Sequence, residues 1–425
     1  MGHSDSKRRC GCCHPAREAD RDAIRRRAKK VFGPKELPGR RQFLKALGGT
    51  AAMGALAGCQ GVADDISQGT SAPDDGGPET LSGTIIVGAE MEPIEGTITI
   101  EDGRIASITE EGVESTDIIA PAFINPHTHI TDSTAKDGPR MRNYSWRELF
   151  IDPGLKSEIN SSASREEKRA AMTRTLDFMQ ASGTGTFADF KEEGVTGIED
   201  LNMVDEGHGV DAVGLLTGPP ADEYNLETVI ERADGYNTYY PYDETTERAR
   251  SICDELDSVF ALHSGEPSPD DIDASLALNP DYTSHMVHTR EQDYSTLSQN
   301  DIGVVALPRS NLVILDELPP LEQLHQATTV ALGTDNTMLN SASMLREMEF
   351  TSKLFSVSPT EVLQMASING AQLIKQDSEI GSIEEGKRAR VTVFDTSKEL
   401  REVVDPIAGI VRRATARDVK RTVLL

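Results

Sequence analysis

Ile118-Ile119-Ala120-Pro121-Ala122-Phe123-Ile124-Asn125-Pro126-His127-Thr128-His129 carries an apolar, β-prone stretch straight into two histidines one residue apart. Side chains alternate along an extended chain, so the i, i+2 spacing turns both imidazoles the same way, where their nitrogens can share one cation. Two histidines on a solvated strand would show the same spacing, but the apolar run before them is directed inward. What decides the fold is that the run recurs. Further β-rich apolar runs stand at residues 184–190, 212–216, around 239–240, and at 259–262, 283–287, 302–307 and 329–332, with helix-patterned segments between them. Counting the run through Ile118-Ile119-Ala120 into Phe123-Ile124, there are eight. Strands alternating with helices predict a parallel sheet wrapped by helices, and eight such units predict an α/β fold of the TIM (β/α)8 barrel type, here distorted.

The helices are readable from their caps. Ser164 and Glu167 form a capping box, and Met172, Leu176 and Met179 then recur on one face before Gly183. Ser358-Pro359-Thr360-Glu361 opens another helix in the same way. Between residues 80 and 115, short runs such as Thr84-Ile85-Ile86-Val87 and Thr97-Ile98-Thr99-Ile100 alternate with Gly and acidic turns, the mark of antiparallel strands. Strand pattern returns over residues 381–395. The two ends, 80–117 and 376–425, are therefore expected to form one small β-sandwich domain beside a barrel of residues 118–375.

The polar residues of interest fall where these runs end. His263-Ser264-Gly265-Glu266 closes the fifth run, His285-Met286-Val287-His288 the sixth, and Gly333-Thr334-Asp335-Asn336 the eighth. In a TIM barrel the carboxyl ends of the strands converge on one site. Asp335 follows an apolar run, and a buried acid needs a partner that a cation would supply. Five of the nine histidines stand at strand ends, whereas His208 and His325 lie in turn or helix patterns.

The order His-x-His, His-x-x-Glu, His and Asp on the first, fifth, sixth and eighth runs resembles the amidohydrolase superfamily, and within it the cytosine, guanine and adenosine deaminase-like branch. Pro308-Arg309-Ser310-Asn311 and Gly381-x-Ile383-Glu384-x-Gly386 add to the likeness, while Ala389-Arg390 stands where the family usually has Ala-Asp. The resemblance implies a metal-dependent hydrolase acting on a C–N bond through a metal-bound hydroxide. It makes His127, His129, His263 and Asp335 ligands of one divalent ion, zinc first, with iron or nickel also accepted by the donor set. Asp335 would take the proton of the water, His285 would hold the hydroxide, and Glu266 would pass a proton to a ring nitrogen. Related enzymes with two metals bridge them by a carbamylated lysine on the fourth strand. No lysine occurs between Lys191 and Lys353, so a single ion is expected. Lys156, Asp189, Lys191, Ser310 and Asn311 are candidates for substrate contact or for structural roles. His288 is a further candidate, with core packing equally open. Deamination of a nucleobase-like N-heterocycle is the leading expectation; ring opening of a cyclic amide, as imidazolonepropionase performs, and a lipid-anchored binding protein without turnover are the alternatives.

Charge bounds the partners. The chain has 43 Lys+Arg against 70 Asp+Glu, yet residues 1–58 hold 14 basic and 5 acidic side chains, leaving 29 basic against 65 acidic in the remainder. So acidic a body repels nucleic acid and suits high salt, where self-repulsion is screened. The basic segment contains Arg40-Arg41-Gln42-Phe43-Leu44-Lys45, a small-residue apolar run, and Leu56-Ala57-Gly58-Cys59. It resembles a twin-arginine signal ending in a lipobox, with Gly39 where Ser or Thr is usual. That likeness implies export, lipid attachment at Cys59 and residence on the outer face of the cytoplasmic membrane, with residues 59–79 as a flexible tether. A start further downstream would instead leave the protein cytoplasmic. Membrane contact would run through Cys59 alone, and a homo-oligomer is left open. Cys253 stands apart from the other four cysteines and cannot form an internal disulfide in the body; it is expected to be a packed thiol.

Overall fold

A computed structural model describes residues 78–136, 144–151, 154–218 and 225–425. The twin-arginine segment, Cys59 and the tether up to residue 77 lie outside the described residues.

Strands from residues 79–121 and from residues 390–424 meet in one six-stranded sheet, where the sequence suggests a sandwich. Its strands are β1 (Glu79–Val87), β2 (Glu92–Glu101), β3 (Arg104–Glu110), β4 (Ile118–Pro121), β14 (Arg390–Phe394) and β15 (Val419–Leu424), in the order β15-β14-β4-β1-β2-β3. Alternation does the work that period two predicts: in β2, Gly96, Ile98 and Ile100 are buried, and Ile98 and Ile100 pack with Leu81, Ile85, Ile119, Val391 and Val393. Ile118-Ile119-Ala120 belongs here, pairing with β1 and β14, and is not the start of the first barrel strand. The chain changes sheets at Ala122. Strand pattern over 381–395 narrows to β14, and Arg390 in it donates to the carbonyls of Gly185 and Gly209 while pairing with Asp211. That guanidinium ties the small sheet to the barrel.

The second sheet is parallel throughout and runs β12-β11-β10-β9-β8-β7-β6-β5-β13. Its strands are β5 (Phe123–His129), β6 (Thr184–Lys191), β7 (Asp211–Thr217), β8 (Gly235–Thr238), β9 (Val259–Ser264), β10 (Tyr282–His285), β11 (Gly303–Ala306), β12 (Val330–Leu332) and β13 (Asp335–Asn336). β12 and β13 are two parts of one run: β12 pairs with β11, and after Gly333-Thr334 the chain pairs with β5 instead. The eighth strand thereby joins the two edges of the curled sheet into a distorted TIM barrel. Asn125 fastens the junction, its amide donating to Thr334 Oγ1 and its carbonyl accepting from the Thr334 amide. The fourth strand ends just before Tyr239 and does not include it. β5 and β6 are buried along their whole length, as parallel strands covered on both faces must be.

Helix Arg165–Ala181 begins on the Ser164–Glu167 capping box and lays Met172, Leu176 and Met179 against Ile130 and Phe187. Helix Pro359–Met365 starts on the Ser358–Glu361 box. Cys253 is buried, its thiol pushed up to about 12 by burial, as a packed group should be. No helix among the described residues is long and apolar enough to cross a membrane.

Gly333 sits where the split strand crosses the barrel interior. A Cβ there would stand 2.8 Å from Leu307 Cδ2, 2.9 Å from Val305 Cγ1 and 3.0 Å from His127 Cβ. Gly333→Ala is expected to cost about 1–3 kcal/mol in chemical denaturation through this overpacking. Unchanged stability would contradict the packing described.

Candidate active site

The carboxyl ends of β5, β9 and β10 and the start of β13 carry His127, His129, His263, His285 and Asp335 into one buried cluster. Asp335 Oδ1 lies 3.3 Å from His127 Nε2 and 3.4 Å from His129 Nε2. The His263 ring is 4.8 Å from His127 and 5.5 Å from His129, centroid to centroid. Donor atoms of His127, His129 and His263 fall within 4.8 Å of one another, as do those of His127, His285 and Asp335, and those of His263, Glu266 and His285. Side chains remote in sequence thus form a continuous set.

Local backbone turns them inward. Asp335 (φ 59°), His285 (φ 73°) and Met286 (φ 49°) occupy the left-handed region, uncommon for residues with a Cβ and sustained only where the surroundings hold it. The Met286 amide bonds the Ser264 carbonyl, so the end of β10 folds over the end of β9 and brings His285 Nε2 to 3.2 Å from His263 Nδ1. Phe190 lies beneath, its ring centroid 4.2 Å from that of His127.

Burial sets the charge states. It lowers the pKa of His129, His263 and His285, favouring the neutral ring, which offers one bare nitrogen to a cation. Burial alone would raise the Asp335 carboxyl, but its contact with His127 and the nearby His285 and His129 outweigh it and hold Asp335 well below the carboxylate range. Glu266 is pushed the other way by burial, with Asp335 adding to the shift and His285 opposing it. The His127 and His263 Nε2 atoms are buried without a hydrogen-bond partner. Three imidazoles and one carboxylate are a zinc-type donor set, so these residues fit a divalent ion.

The remaining candidates divide. Ser310 donates to Asp335 Oδ2, and the Asn311 amide is 2.9 Å from His285 Nδ1. Arg309 holds that stretch in place through its buried ion pair with Glu347 and a bond to the Ser341 carbonyl. Lys156 reaches the cluster edge, Nζ 3.5 Å from His129 Nδ1, and pairs with Glu192 and Asp132. Asp189 and Lys191 stand one layer behind the ligands: they pair with each other at 2.7 Å, and Asp189 accepts from Thr128 Oγ1 and the Ile130 amide. Their polar atoms are spent on shaping the chain around His129. His288 lies outside the cluster, half-buried and 3.8 Å from Glu317. Sequence reasoning missed Glu192, Asp132 and Ser284 as site residues, and took Tyr239 for a strand residue when its ring stacks on His263 at 3.8 Å. Glu192 had a usable signal, since it directly follows the strand-end Lys191.

Residues 118–239 and 243–424 match a family model described as the amidohydrolase family. A protein of Archaeoglobus fulgidus ascribed aminohydrolase activity is 30% identical over 355 residues, 82% of this chain and 97% of its own length. A 5-methylthioadenosine/S-adenosylhomocysteine deaminase of Thermoanaerobacter pseudethanolicus is 27% identical over 334 residues, 66% of this chain and 74% of its own. Among solved structures, an adenosine deaminase of Xanthomonas campestris with bound zinc is similar with a TM-score of 0.68 at 20% identity, over 81% of this chain and 90% of that one. That likeness concerns the fold.

The raised Glu266 carboxyl has a consequence for stability. Below the ordinary carboxylate pKa the folded and unfolded chains both hold the proton; above it the unfolded chain sheds the proton first, so the folded state loses stability as pH rises. Glu266→Gln is expected to raise the thermal midpoint of metal-free protein at about pH 7 and to leave it near the wild-type value at about pH 4. No gain at the higher pH would count against a burial-strained carboxyl.

Proposed function

Because the chain belongs to the amidohydrolase family, we propose that it is a metal-dependent aminohydrolase that removes an amino group from a nucleobase-like N-heterocycle. His127, His129, His263 and Asp335 would hold one divalent ion, zinc first, with iron or nickel compatible with the same donors. When bound, the ion supplies Lewis acidity that brings the pKa of a water to near neutrality. The single observation that carries the reading is the Glu266–His285 pair, whose Nδ1–Oε1 distance is 3.8 Å, at the edge of the donor cluster.

Asp335 accepts the proton of the attacking water at its carboxylate, which the Ser310 hydroxyl orients through Oδ2. His285, with Nδ1 engaged by Asn311, turns Nε2 toward the cluster and stabilises the charge that develops on the attacking oxygen. Glu266, whose proton affinity burial raises, delivers a proton to the substrate's ring nitrogen as the carbon becomes tetrahedral. The proton taken by Asp335 passes to the amino group, the C–N bond breaks to release ammonia, and the remaining hydroxyl proton returns to Glu266 as the carbonyl forms. Each group meets its task by position first and by proton affinity second. The names of the deaminase relatives support this substrate class.

Export by the twin-arginine route and a lipid anchor at Cys59 form a separate proposal, supported by the sequence of residues 40–59. Cys59→Ala is expected to move the protein from the membrane fraction to the soluble one, and equal membrane association of the variant would contradict anchoring.

For the activity, metal-loaded protein given a panel of aminopurines, aminopyrimidines and cyclic amides is expected to release ammonia from an amino-substituted ring. Asp335→Ala is expected to abolish that release. Ring opening without ammonia would move the assignment to cyclic amide hydrolysis, and tight binding without product would leave a binding protein.

A further inference from the structure

We propose that Glu192 is a positioning residue that orients the metal-binding imidazoles of His129 and His263. The inference rests on the reading of His127, His129, His263 and Asp335 as ligands. Glu192 lies one residue beyond β6, which pairs in parallel with β5 so that Asp189 faces Thr128. The chain leaving β6 therefore runs beside the chain that carries His129. A single oxygen, Glu192 Oε1, gathers three neighbours from three places in the fold: Lys156 Nζ at 2.6 Å, the Tyr239 hydroxyl at 2.7 Å and His129 Nδ1 at 3.3 Å. The Tyr239 ring lies on His263, centroids 3.8 Å apart and planes 24° from parallel. One carboxylate thus touches one ligand directly and holds the ring that covers a second.

The chemistry of imidazole gives this contact its meaning. A neutral ring has one N–H and one bare nitrogen, and only the bare one can bind a cation. His129 Nε2 faces the cluster, 3.4 Å from Asp335 Oδ1, so a ring that binds the ion through Nε2 carries its proton on Nδ1, 3.3 Å from Glu192 Oε1. Lys156 Nζ lies 3.5 Å from the same nitrogen, but an ammonium can only donate, so once Nε2 is taken by a cation and Nδ1 carries the proton the neighbour able to receive it is Glu192. The ammonium instead balances the carboxylate's charge. His127 meets the same requirement through a hydroxyl, with Nδ1 2.7 Å from Ser284 Oγ. A carboxylate behind a ligand ring fixes its tautomer and makes it a stronger donor than a hydroxyl does, and losing such a partner weakens metal binding about ten- to a hundredfold.

The test uses the full chain in three forms. Glu192→Leu keeps bulk but cannot accept a hydrogen bond; Glu192→Gln keeps a neutral acceptor; wild type is the reference. The Glu192 side chain retains 31% of its surface, so neither change opens a core. Zinc affinity is read by competition with a chelator, and the His129 tautomer by nitrogen-15 NMR of metal-free protein labelled at histidine, with His129→Gln to assign the signal. Glu192→Leu is expected to weaken zinc about ten- to a hundredfold and to put protons on His129 Nε2, with Glu192→Gln falling between it and wild type. If Glu192→Leu does not fold, Tyr239→Phe carries the test: it keeps the ring on His263, removes the bond to Glu192, and is expected to weaken zinc about three- to tenfold. Wild-type affinity and an unchanged tautomer in the Leu variant, or wild-type affinity in the Phe variant, would overturn the role of Glu192. Failure of wild type to bind one zinc would overturn the ligand assignment instead.

Discussion

Four ligand side chains buried with their nitrogens and a carboxylate oxygen turned toward one another are the constraint on which the rest of this structure depends. A buried polar atom without a partner costs roughly 1–3 kcal/mol, and the His127 and His263 Nε2 atoms are two of them at a single point. Three rings whose protonation burial disfavours, His129, His263 and His285, and a carboxylate held below its usual range describe a site that is electron-rich and short of protons. A divalent cation resolves all of these features together. A hydrogen-bonded structural core would instead have supplied each ring with two partners.

The barrel makes such a cluster affordable by distributing its support. β5 supplies two ligands because its period of two places them on one side, and the run that contains Asp335 leaves β12 and joins β5, which brings that carboxylate beside both rings. Behind this layer, Asp189 and Lys191 shape the chain after His129, and Arg309 with Glu347 fixes the stretch that presents Ser310 and Asn311. Each of these pairs is buried with its charges matched, the condition under which buried charges add definition rather than instability. Glu266 and His285 then stand at one edge of the cluster and Glu192 with Lys156 near His129, so that proton transfer and ligand support do not compete for the same groups.

Much of this was legible in the sequence, for reasons that can be named. His127 and His129 could be paired because strand geometry alone fixes which way they face. His263, Glu266, His285 and Asp335 could be placed because each ends an apolar run, and runs of that kind converge in a barrel. Capping boxes at Ser164 and Ser358 marked helix starts since both partners of each box are local. Tertiary partnerships were another matter. Whether Asp189 and Lys191 faced a substrate or each other depended on how a strand end curls, and the sheet to which Ile118-Ile119-Ala120 belongs depended on pairing with residues 391–394 at the far end of the chain. The fourth strand was hardest, because Gly235-Tyr236-Asn237-Thr238 shows little apolar character, and the eye goes to the tyrosines beyond it.

Metal-edge X-ray absorption and metal analysis of the purified protein test the central claim most directly. The account predicts one divalent ion per chain, bound by three imidazole nitrogens and carboxylate oxygen, and lost together with its histidine signature when His127 is replaced. A chain that binds no ion, or one whose ion keeps its full coordination without His127, would contradict it.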